Sequence, residues 1–214
     1  MPGEDFPTLP DPSKVTLTLI PADDVADLIA LTQFSMSTDD TRPHLSAALF
    51  ELAGEVLRVV TTDGHRLSKA ERKISGMKAQ SKLLIPAKAV HELKRMVDEL
   101  RAEKKDATSG PLTVGIGAAS SQGPVFFQRD GMTLSSKLVD AAFPSYEQVI
   151  PFTHERTVTV SRMALADAVR AVSEMASVDA AKIVVAEGRV VVSSPEDGEA
   201  GVSEEIKASL QGGG

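Results

Sequence analysis

The feature that most constrains this chain is internal repetition. Three segments follow one plan: an extended apolar run, a short break, then apolar residues three and four apart. In the first, Val15-Thr16-Leu17-Thr18-Leu19-Ile20 precedes Pro21 and a pattern of Val25, Leu28, Ile29 and Leu31. In the second, Lys82-Leu83-Leu84-Ile85 precedes Pro86 and then Val90, Leu93, Met96, Val97 and Leu100. In the third, Thr157-Val158-Thr159-Val160 precedes Ser161 and then Leu165, Ala168, Val169, Val172 and Met175. Such spacing lays one apolar stripe along a helix and leaves the opposite face polar. Pro21 and Pro86 suit the first helical turn, where no intrahelical N–H is missed. Ser161 suits an N-cap, its hydroxyl accepting from the first turn.

Strand-like runs follow each helix. They cover residues 45–52, 56–61 and 68–74 in the first repeat, and 112–117, 125–129 and 132–138 in the second. In the third they cover 182–186, 189–194 and 204–210. Ala53-Gly54-Glu55, Arg129-Asp130-Gly131 and Glu187-Gly188 mark tight turns between them. The repeats start roughly 65–75 residues apart, too far for a simple solenoid, so each reads as a small α+β unit.

One unit alone buries little apolar surface, so two are expected to pair. Residues 14–151 are then one complete domain. Residues 152–214 are part of a second, and the chain reads as a fragment. Residues 1–13, rich in Pro and Asp, read as a linker, as do Pro151-Phe152-Thr153-His154-Glu155. Residues 103–110 read as a polar loop.

Composition excludes several chemistries. There is no Cys among the 214 residues. Disulfides, thiolate metal sites and a cysteine nucleophile are therefore out. The formal charge of −7 is unlike a general nucleic-acid binder, so any DNA contact is weak or confined to one face. No apolar run approaches the roughly 20 residues of a membrane helix. The opening Met1-Pro2-Gly3-Glu4-Asp5-Phe6 does not resemble a signal peptide, and a cytoplasmic protein is expected.

Three stretches go beyond pattern. Thr32-Gln33-Phe34-Ser35-Met36-Ser37 leads into Asp40-Thr41-Arg42-Pro43-His44-Leu45 and Leu49-Phe50-Glu51. Thr61-Thr62-Asp63-Gly64-His65-Arg66-Leu67 follows. Ser136-Lys137-Leu138-Val139-Asp140 then precedes Phe143-Pro144-Ser145-Tyr146 and Val149-Ile150-Pro151. In this order they resemble the middle domain of the bacterial beta sliding clamp family, the processivity subunits of DNA polymerase III. Leu84-Ile85-Pro86-Ala87-Lys88 with Glu92-Leu93 resembles its second-helix region, and Phe6-Pro7-Thr8-Leu9 the linker after its first domain.

The resemblance implies a DNA clamp fold: a pseudo-twofold domain of two helix-plus-antiparallel-sheet units, followed here by half of another. Family members are head-to-tail homodimeric rings around duplex DNA, joined between the first domain of one subunit and the third of the other. It implies no catalysis, no cofactor and no metal. Its partners would be duplex DNA, held weakly enough to slide, and the polymerase III catalytic subunit, clamp loader and repair polymerases, which dock a linear motif. Leu45, Thr62, Gly64, His65, Arg66, Leu67, Pro144 and Val149 match family positions at that motif's pocket. The pocket's remaining wall would come from the end of domain three, so binding by this chain alone is expected to be impaired. Gln148 stands where the family often has Arg. Arg42, Lys88, Lys94 and Arg95, with His91, form the DNA-facing set, against the alternative that they are ordinary solvated charges.

Two rival readings remain at this stage. One is a stand-alone adaptor that binds peptides without encircling DNA. The other is an α+β enzyme using His65 and Asp63, for which no nucleophile motif completes a triad. His44, His65, His91 and His154 lack metal-ligand spacing. Gly115-Ile116-Gly117 is not followed by the helix of a nucleotide site. Met36, Met96 and Met175 read as core filler.

Overall fold

The computed structural model describes residues 10–103, 113–118, 123–129, 131–151, 153–175, 180–195 and 201–212. The chain divides into two compact units, the first ending at Pro144 and the second beginning at Ser145.

In the first unit the first repeat supplies β1 (Thr18–Pro21), α1 (Ala22–Ala30), β2 (Ala47–Ala53), β3 (Val56–Thr62) and β4 (Leu67–Lys73). The second supplies β5 (Gln80–Pro86), α2 (Ala87–Glu103), β6 (Thr113–Ala118), β7 (Pro124–Arg129) and β8 (Met132–Lys137). Helix-plus-antiparallel-sheet units are what the sequence predicts, but their strands are shared differently. The sheets run β4-β3-β2-β5 and β1-β6-β7-β8, so each repeat's leading strand completes the sheet of the other. Phe50 lies opposite Leu83 and Ala48 opposite Ile85, while Ile20 lies opposite Val114. Burial explains the exchange. An edge at β2 or β6 left unpaired would expose backbone groups beside the apolar core.

The prolines also depart from expectation. Pro21 and Pro86 close β1 and β5 rather than opening the helical turn. Pro21 has extended angles, φ −55° and ψ 130°, and no side chain caps α1. Without an N–H, a proline ends a ladder at little loss. Asp23 and Asp24 in the first turn of α1 meet the positive helix end. Asp24 and Asp27 also lie 3.9 and 3.8 Å from Arg72 of β4.

Both repeats share one core. Val25, Leu28 and Ile29 of α1 and Val90, Leu93 and Val97 of α2 meet Phe50, Leu57, Ile85, Ile116 and Phe127, and α1 packs on α2. Met36 and Met96 are core residues. Gly117 is required by close approach, not by a ligand: a Cβ there would stand 2.5 Å from the Thr16 carbonyl oxygen. One further bond joins the second repeat to itself, the Val139 N–H donating to the Leu84 carbonyl at 2.9 Å.

The second unit comprises β9 (Thr157–Val160), α3 (Arg162–Met175), β10 (Lys182–Ala186), β11 (Arg189–Ser193) and β12 (Ser203–Gln211). Its sheet runs β10-β11-β12-β9, so this leading strand stays beside its own repeat. Ala168, Val172, Val190, Val192 and Ile206 form its core. Ser161 caps α3 as expected, its hydroxyl oxygen accepting the Ala164 N–H at 3.4 Å. The expected loop after Glu103, Asp130 of its turn, Phe152, residues 1–9 and the Leu100 and Met175 side chains lie outside what is described.

Candidate functional site

The corner between β3 and β4 is built by hydrogen bonds within six residues. The Thr62 hydroxyl donates to the Arg66 carbonyl at 2.7 Å and accepts the Gly64 N–H at 3.1 Å. Asp63 Oδ1 accepts the N–H groups of His65 at 2.9 Å and Arg66 at 3.0 Å. Asp63 Oδ2 accepts from Arg66 Nε at 3.1 Å. These donors, the Arg66 and His65 backbone N–H groups foremost, hold the Asp63 carboxyl down at a pKa of about 2. Gly64 has φ +94°, and the nearest atom to a Cβ built on it is Arg42 Nη1 at 3.9 Å. Its backbone is therefore exposed and open to close approach by another chain.

A second layer fixes the corner to the core. Arg66 Nη2 donates to the Phe34 carbonyl at 2.7 Å, and its guanidinium lies 6.0 Å from the Phe34 ring centroid. Phe34 sits in the short 3-10 turn Gln33–Ser35 and is 57% exposed. Beneath it, the buried Thr61 hydroxyl donates to the Thr32 carbonyl at 2.5 Å, and the Ser35 and Ser68 hydroxyls are 2.7 Å apart. Phe34 and Asp63 both hold this corner; the sequence pointed to Asp63 only as the companion of His65, and not to Phe34. An exposed aromatic in a chain with 4% aromatics was the available signal.

The remaining positions distribute as follows. Leu45 and Thr62 are buried, Leu67 is half-buried, and Gly64, His65 and Arg66 are exposed. Leu45 donates its N–H to the Arg42 carbonyl, and Arg42 Nε bonds Asp39 Oδ2 at 2.9 Å. This places Arg42 beside Gly64 rather than on a helix. Thr41 and then Arg42 lower the Asp39 pKa through hydrogen bonds. Pro144 is exposed at the end of the first unit, and Val149 is 70% exposed in the second.

Among the described residues no side chain hydrogen-bonds the His65 ring, and no three metal-ligating side chains gather. The corner offers a stiff backbone, a stacked cation and apolar flanks. That suits capture of an extended segment better than bond breaking.

On α2, Lys88, His91 and Arg95 are exposed and Lys94 is half-buried. Lys94 pairs with Asp98, and Arg95 with Glu92 at 2.6 Å. His91, Lys94, Arg95, Asp98, Glu99 and Ala102 line one shallow depression. Local acids thus offset two of the three cations, leaving a mild field.

Residues 19–145 match the family described as DNA polymerase III beta subunit, central domain. The beta sliding clamp of Escherichia coli K12 is 40% identical over 152 residues, which cover 71% of this chain and 38% of that protein. That of Vibrio cholerae is 36% identical over the same share of each. Among solved structures, a Pseudomonas aeruginosa DNA polymerase III subunit beta is 26% identical with TM-score 0.84, covering 100% of this chain and 56% of that one. A sliding clamp from the same organism was solved bound to griselimycin, with TM-score 0.82, 26% identity, and coverage of 100% of this chain and 55% of that one. The chain spans about 38% of the length of the curated relatives it matches.

Proposed function

The chain belongs to the DNA polymerase III beta-subunit family, and from that premise we propose that it is a non-enzymatic sliding-clamp segment, cytoplasmic, that docks linear-motif proteins at duplex DNA. The observation that carries the docking role is the Thr62–Leu67 corner, with Gly64 open beside the stacked Arg66–Phe34 pair. A ligand's backbone lies over Gly64, Leu45 and Leu67 supply apolar contact, and His65 and Arg66 offer donors at the rim. Pro144, at the end of the first unit, is a further apolar position of the pocket, and Val149 is a pocket position within the second unit. The griselimycin-bound relative supports a ligand-binding surface in this fold. The DNA role rests on Lys88, Lys94 and Arg95 of α2, with Arg42 as a fourth cation. A weak field suits a clamp, because tight phosphate neutralisation would stall sliding.

Titration of a labelled polymerase linear-motif peptide tests the docking role. Leu67→Ala or Pro144→Ala weakens binding by about 1–3 kcal/mol if either side chain is an anchor. Affinity unchanged in both variants overturns the assignment.

A further inference from the structure

The face of β3 that enters the core carries Leu57 and Val59, both fully buried, and the next position on that face is Thr61, buried as completely. An apolar side chain would fill that place, and a buried hydroxyl costs free energy unless it is bonded. The same holds beside it, where Thr32 and Ser35 are each 1% exposed. These hydroxyls are not scattered. Thr61 and Ser68 lie opposite each other in the β3–β4 ladder, one pair in from the Thr62–Leu67 pair that opens the corner. The Thr61 hydroxyl donates to the Thr32 carbonyl, and the hydroxyls of Ser68 and Ser35 bond each other. One cross-strand pair therefore grips the Gln33–Ser35 turn at both ends. The turn is also tied to α1, because the Thr32 hydroxyl donates to the Leu28 carbonyl at 2.7 Å. Between the two grips lies Phe34, whose carbonyl accepts Arg66 Nη2 and whose ring lies under the guanidinium.

We propose that Thr61 and Ser68 are positioning residues for docking: they aim Arg66 by holding the turn whose carbonyl it binds. Their role presupposes that the Thr62–Leu67 corner docks a ligand. Among the described residues the Arg66 side chain hydrogen-bonds only Asp63 and Phe34. Asp63 sits in the same loop and moves with it, so the Phe34 carbonyl is the contact that fixes the guanidinium relative to the sheet. A guanidinium held at two places offers its remaining N–H groups in one direction. Freed, it must be ordered again by each ligand, at a cost in affinity. Thr61 separates this role from stability. The Thr32 carbonyl keeps a second donor, the Ser35 N–H at 3.0 Å, so Thr61→Val leaves no buried acceptor bare.

Titration of the 214-residue chain with the labelled linear-motif peptide, beside NMR of the Arg66 Nε–H group in the free protein, tests the assignment. Thr61→Val is expected to weaken docking on the order of tenfold, the worth of one bond to a charged group, with the melting temperature unchanged or raised. Ser68→Ala acts in the same direction, and Thr61→Ser keeps the parent affinity. In the free Thr61→Val protein the Arg66 Nε–H exchanges faster with water. The loss runs through Arg66, so in an Arg66→Ala background Thr61→Val costs nothing further. An equal loss in that background, or a Thr61→Ser variant as weak as Thr61→Val, overturns the proposal in favour of a general loosening of the fold. So does an Arg66 Nε–H that exchanges as in the parent. Arg66 freed with affinity unchanged upholds the aiming of Arg66 and removes its docking role instead. A parent chain that does not bind the peptide removes the docking reading, and the Arg66 exchange rates then decide the positioning alone.

Discussion

At Asp63 one carboxylate accepts two backbone N–H groups and the Arg66 side chain, so the shape of the β3–β4 corner depends on its charge. Its folded pKa is depressed to about 2 from a reference of 3.8. The stabilisation is therefore full above the unfolded value and is lost as pH falls through about 2. Protection of the His65 and Arg66 amides from exchange, measured by NMR relative to the intrinsic rate at each pH, is expected to fall between pH 4 and pH 2 (about two units, spanning both values). Asp63→Asn should flatten that dependence, and an unchanged profile would remove Asp63 as the organiser. Thr62-Asp63-Gly64 is legible in the sequence as a turn, because those residue types favour one. The Arg66–Phe34 contact is not, because it joins positions 32 residues apart and depends on where the Gln33–Ser35 turn is held.

Among elements, α1, α2 and the hairpin strands follow from local signals: apolar spacing, and the turns at Gly54 and Gly188. Strand partnership does not. The apolar run Lys82-Leu83-Leu84-Ile85 reads the same whether β5 joins β2 or its own repeat, since pairing is decided by the shared core and not by local propensity. The exchange carries a prediction. A chain cut between Ala79 and Gln80 leaves each repeat of the first unit without one strand of its sheet, so neither repeat should fold alone. Mixing the two should add the first unit's β-sheet circular dichroism and a cooperative melt; the piece ending at Ala79 folding by itself would contradict the shared core. On α2, Lys88 is the cation with no ion pair among the described residues. On the DNA role proposed for α2, Lys88→Ala should reduce residence on DNA more than Lys94→Ala does, with both losses fading at high salt. Single-molecule residence times measured in a closed ring check the order.

For the whole molecule, the two units rest on unequal cores. Phe50, Phe127 and the stripes of two helices stabilise the first. The second has Ala168, Val172, Val190, Val192 and Ile206 among its described residues. The unit with the smaller core opens at lower free energy. Limited proteolysis is expected to cut within 145–214 first and to leave a resistant product ending near Pro144. Early cleavage inside β2 or β5 would reverse that order. The traded leading strands reach further than stability. Because β1 and β5 each live in the sheet of the neighbouring repeat, the piece of gene that can be moved, lost or copied intact is the pair. A breakpoint between the two repeats yields two broken sheets, and only one at the far end of both leaves a protein behind.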